Sequence, residues 1–135
     1  MRATLLASLL LAASLGSPAS AACKQNYTVL GLPLLSQIEY RTQETYKGLG
    51  QTAAAKRIAA RLKAEGYSGV KRSGGVVTAW QETSGSGRPQ ALRFIVTERS
   101  SKTTIEAIFT VQAGQIAGER VVRGELCRLI ASAAG

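Results

Sequence analysis

Histidine is absent from this 135-residue chain, and so is aspartate; all eight acidic residues are glutamate. The first absence removes the commonest general base and metal ligand, and with it Ser-His-Asp and Cys-His nucleophile arrangements. The second removes the other carboxylate usual in triads and metal sites. Only two cysteines occur, without C-x-x-C spacing, so a zinc site lacks donors. Aromatics are few: one Trp, four Tyr and two Phe. Sheet-type nucleic-acid readers stack bases on exposed aromatics, and both Phe here fall on a parity expected to face a core. Nucleic acid is therefore disfavoured as a partner. Glu82, Glu98 and Glu106 read as ordinary solvent-facing carboxylates in or beside strands. The Gly-Ser stretch at 84–88 lacks the Gly-Lys-Ser/Thr ending and the following helix of a phosphate loop. The expectation is a non-enzymatic protein with no catalytic residue, no metal and no cofactor.

What is present begins with a leader. Met1-Arg2 is a short positive segment, residues 5–15 are apolar, Gly16-Ser17-Pro18 breaks the run, and Ala19-Ser20-Ala21 fits a small-x-small cleavage rule. These are the three parts of a secretory signal peptide. The apolar run is shorter than the roughly 20 residues of a membrane span, so no transmembrane segment is expected. The domain plan is then a signal peptide at 1–21, an irregular tail at 22–35 and one domain at 36–135. Cleavage removes Arg2 alone among the charges and leaves 16 basic residues against 8 acidic, a formal charge of +8. Such a charge bears on partners and solubility rather than on fold.

Cys23 and Cys127 stand near opposite ends of the exported chain. An even count in an exported protein favours a disulfide, here closing a loop of about 100 residues. The rival is lipidation: bacterial lipoproteins carry lipid on the Cys that follows the signal peptide. Ser20-Ala21-Ala22 before Cys23 matches that pattern at two positions but has Ser where Leu is usual. The disulfide is preferred because the second cysteine offers a partner.

The clearest structural signal is a hairpin over residues 91–111. Leu92, Phe94 and Val96 alternate with Arg93, Ile95 and Thr97; Ile105, Ala107, Phe109 and Val111 alternate with Glu106, Ile108 and Thr110. Period-2 alternation places each set on one face. A strand is expected over 36–46, with Ile38, Tyr40, Thr42 and Tyr46 on one parity, and another over 76–81. Residues 67–75 suggest a short strand and then a turn, and 83–89 a flexible hairpin loop. A helix is expected over 52–65, with Ala55, Ile58, Ala59 and Leu62 on one face, and a second over 118–132, with Val122, Leu126, Leu129 and Ile130 on one stripe. The segment 24–35, rich in leucine, reads as irregular chain packed on the domain. The sum is an α+β fold: an antiparallel β-sheet of about four strands with two helices packed on one face, in the order β-α-β-β-β-α.

Two sets of residues carry the binding expectations. Cys23 and Cys127 form the disulfide. Lys56, Arg57, Arg61 and Lys63 on the first helix, with Lys71 and Arg72 in the turn after it, form a candidate anion-binding set. The partner is expected to be a protein or an acidic polymer of the cell envelope, with an acidic glycan or lipid head groups as the polyanion.

The Ala-rich helix ending in Ala64-Glu65-Gly66-Tyr67, followed by the Gly-led strand Gly75-Val76-Val77-Thr78-Ala79, two more strands and a helix, resembles the small α/β modules of bacterial envelope lipoproteins, including the repeated domains of the outer-membrane assembly lipoprotein BamC. It covers about two-thirds of the chain. The resemblance implies a non-catalytic envelope role through protein contact, in the periplasm or outside the cell, or at a membrane if Cys23 carries lipid. An inhibitor or immunity protein against a secreted enzyme is an alternative role.

Overall fold

The expected hairpin is the middle of the sheet. The computed structural model describes residues 18–82 and 89–135, with side chains from 21 to 81 and from 89 onward. The elements in order are α1 (Pro18–Gln25), β1 (Thr28–Leu30), β2 (Ile38–Lys47), α2 (Gln51–Ala64), β3 (Ser68–Ser73), β4 (Val76–Glu82), β5 (Pro89–Arg99), β6 (Lys102–Val111) and α3 (Glu119–Ser132). Every strand pairing is antiparallel, in the order β1-β2-β6-β5-β4-β3.

The α+β class with helices over one sheet face holds, but the count does not. Among the described residues the sheet has six strands rather than about four, and there are three helices rather than two. The additions to the count are α1 and the two edge strands, β1 and β3, the last being the short strand suggested within 67–75 but not counted. Both edges are short and mostly exposed, so neither carries the apolar alternation that reveals a buried strand. The 22–35 segment is not wholly irregular: it holds the last turn of α1 and all of β1, whose Val29 pairs with Tyr40. Its leucines are also not packed. Lys71 and Arg72 lie within β3, not in a turn. The expected leader falls largely outside the described residues, as does the expected 83–89 loop except for Pro89, which begins β5.

The hairpin register follows the alternation. Leu92 faces Phe109, Phe94 faces Ala107 and Val96 faces Ile105. All six are buried under the helices with Ile38, Tyr40, Val77 and Ala79. Arg99 pairs with Lys102 across a two-residue turn in which Ser100 and Ser101 both have positive φ, 49° and 59°. This is the backbone of a type I′ turn, which suits strand twist.

Helix α2 buries Ala54, Ala55, Ile58, Ala59 and Leu62. The Glu98 carboxylate, reaching over from β5, accepts the N–H of Gln51 at 3.0 Å and so caps the helix where no side chain of Gly50 can. The helix ends in a Schellman arrangement: Gly66, at φ +83°, donates to Lys63 O and Tyr67 donates to Leu62 O. Helix α3 buries Val122, Leu126, Cys127, Leu129 and Ile130. No helix among the described residues covers the other sheet face. There Ile108 is nonetheless buried, between register neighbours Arg41 and Arg93, a type of residue whose aliphatic stem can cover apolar surface. No helix among the described residues is long and apolar enough to cross a membrane.

Candidate interaction surface

The register places three features at one end of the molecule. Ile38, which follows loop 31–37, pairs with Val111, which precedes loop 112–118. The first turn of α3 follows directly. In this region Leu30, Leu32, Leu34 and Leu35 are 51%, 61%, 62% and 80% exposed, and Ile116 and Val121 are 73% and 74% exposed. Single exposed leucines are normal on any surface, whereas apolar groups gathered in one region mark contact sites. The backbone holds the leucines out. Gly31 has φ +113°, a Cβ there would lie 2.2 Å from Gln37 O, and Leu34 itself sits at φ +70°. Ser36 fastens the loop, its Oγ accepting the N–H of Leu32 at 2.9 Å.

Cations border this end. Arg120 and Arg123 of α3 share a shallow depression with Tyr27, Val29 and Glu119. The Arg123 guanidinium stands 5.9 Å from the Tyr27 ring centre. Tyr27 stacks on Tyr40, and its hydroxyl is buried without a hydrogen-bond partner among the described residues. Burial first, then Glu119 and Tyr40, push its pKa up to about 12 against the opposing pull of Arg123.

A cleft of about 300 Å³ runs between α3 and the sheet beside the same end. Its apolar wall includes Leu92, Phe109, Val122, Leu126 and Leu129. Its polar groups are Gln81, Gln90, Tyr67 and Glu125. Tyr67 and Glu125 face each other at 3.5 Å. Burial, then Glu125 and Glu65, raise the Tyr67 pKa, with Arg128 opposing. An apolar wall with a few convergent polar groups suits a side chain or short segment of a partner better than a reaction centre.

The six cations singled out from the sequence lie exposed on two elements, α2 (Lys56, Arg57, Arg61, Lys63) and β3 (Lys71, Arg72), which pack against each other. Two of them have internal roles. Arg57 donates to Ala133 O at 3.0 Å, and Arg61 pairs with Glu65 at 2.6 Å. Lys56, Lys63, Lys71 and Arg72 form no ion pair among the described residues.

Cys23 and Cys127 are joined in a disulfide that bridges 104 positions, with both residues buried. A sulfur in this bond cannot also carry a thioether-linked lipid. Thr42 of β2 completes the anchorage, its hydroxyl bonded to the Cys23 carbonyl. Next to it on the same face stands Glu44, only 4% exposed, which sequence reading passed over. The signal was there: Glu44 occupies the position between Thr42 and Tyr46 on the parity assigned to the core. Burial raises its pKa, partly offset by the N–H of Cys23, and one carboxylate oxygen has no partner among the described residues.

No protein-family model matches this chain, and no curated protein matches it in sequence.

Proposed function

We propose that this chain is an exported, non-enzymatic binding domain of the cell envelope, freed of its leader after Ala21, and that it docks a protein partner at its leucine-rich end. The observation that carries the reading is the exposure of Leu30, Leu32, Leu34 and Leu35 on and after β1, with Ile116 exposed in the loop that the Ile38–Val111 pair brings to the same end of the sheet. The adjoining cleft would take an apolar anchor from the partner, and Arg120 and Arg123 would favour an acidic rim around it. A buried disulfide suits an oxidising compartment outside the cytoplasm. The layout resemblance to the BamC modules points the same way, towards protein contact in the envelope. The double variant Leu32→Asn/Leu35→Ser tests the reading: it should keep the fold, because both side chains stand in solvent, and lose partner binding. Retained binding would contradict it.

A second reading has its own support. Lys56, Lys63, Lys71 and Arg72 would hold an acidic glycan or lipid head groups. Binding of that kind weakens strongly with salt, whereas docking on the leucines does not.

A further inference from the structure

We infer that the buried Glu44 carboxylate is the receptor for the α-ammonium group that leader removal creates at Ala22. The inference rests on the processing site proposed above. Cys23 holds its place by two attachments, its disulfide to Cys127 and its carbonyl bonded to the Thr42 hydroxyl, and its backbone N–H stands near enough to the Glu44 carboxylate to offset part of the rise in that group's pKa. The nitrogen of Ala22 is the next one along the chain. Standard bond lengths keep successive backbone nitrogens within about 3.7 Å of each other in any conformation. A terminus at Ala22 therefore lies within reach of the carboxylate, on a segment that the disulfide holds in place.

In the unprocessed chain the Ala22 nitrogen is an amide, and Glu44 stands almost fully buried with one oxygen unpartnered. Its register neighbour on β6 is Ile105, which offers no charge or hydrogen bond. Its charge raises the pKa of Tyr46, on its own strand, and among the described residues it forms no ion pair. A buried carboxylate without a cation is costly, and the usual outcome is neutralisation by a proton. Hydrolysis of the Ala21–Ala22 bond by water yields a carboxylate on the departing leader and an amine on Ala22, which takes up a proton at neutral pH. That ammonium is the missing cation. Processing would then complete the domain as well as release it.

Four oxidised chains test this: one beginning at Ala22, one beginning at Ala21, and each with Glu44→Gln. The Ala22 chain should have the highest urea midpoint. The gap to the Ala21 chain should close in the Glu44→Gln pair, because only the matched amine and carboxylate interact. The α-amino group of the Ala22 chain should titrate at least about one unit above its ordinary value near 8, a tenfold shift in its protonation equilibrium. Equal midpoints for the two Glu44 chains, or an α-amino group titrating at its ordinary value, would overturn the pairing. Should Glu44→Gln fail to fold, the α-amino titration decides alone. The intact mass of the exported protein separates the two ideas. A start other than Ala22 overturns the inference together with the processing site; a start at Ala22 with an unshifted amine overturns the pairing only.

Discussion

Arg128 grips the Glu65 carboxylate with both terminal nitrogens, at 2.6 and 2.7 Å, and so ties the end of α2 to the middle of α3. Glu125 on α3 and Arg61 on α2 extend the contact into a four-residue network. Planar two-point pairing of this kind is the strong form of a surface ion pair. Arg128 and Arg61 hold the Glu65 carboxyl below the usual carboxylate range, the Arg128 hydrogen bonds acting most strongly.

Arg128→Ala should therefore cost about 1 kcal/mol at neutral pH, at the upper end for an exposed pair because the network is shared. Because the folded pKa of Glu65 is lowered, its contribution is complete above the ordinary carboxylate value of 4.5 and fades as pH falls through the lowered one. Urea midpoints of the parent and the variant should differ at pH 7 and converge in strong acid.

Reduction of the Cys23–Cys127 bond should destabilise the domain heavily. The bond closes a loop spanning 104 positions, for which chain entropy predicts about 4–5 kcal/mol. It also fastens α1 to α3. The check is a urea curve with and without reductant, alongside thiol counts of zero and two.

The turn at Ser100 and Ser101 should be improvable. Both residues hold positive φ, which serine adopts at a cost and which Asn-Gly adopts readily. Ser100→Asn/Ser101→Gly should raise stability by about 1 kcal/mol, read as a higher thermal midpoint with an unchanged circular dichroism spectrum.

How much of this was legible in the sequence depends on burial. β5 and β6 could be read residue by residue, because every second side chain enters the core and leaves a period of two. α2 and α3 were legible within a residue or two from their apolar stripes and from Gly66. β1 escaped, and β3 showed only as a short strand within 67–75, outside the count, because an edge strand is held by backbone bonds on one side and need bury no side chains. Lys71 and Arg72 thus looked like turn residues beside Gly74. The leucines of 30–35 looked like core by composition, whereas the backbone at Gly31 and Leu34 turns them outward. Glu44 was hidden by the habit of reading a carboxylate as solvent-facing. Its partner in the proposed pairing does not exist until the chain is cut, so no residue type in the sequence announces it.

The most direct test of the proposed docking is site-specific photocrosslinking in the native cell, with a photoreactive residue placed in turn at Leu35, Ile116 and, on the exposed surface of α2, Lys56. One defined protein adduct is expected from Leu35 and from Ile116, absent when Leu32→Asn is added, and none from Lys56. Adducts from Lys56 alone, or no adduct at the leucine-rich end, would contradict it.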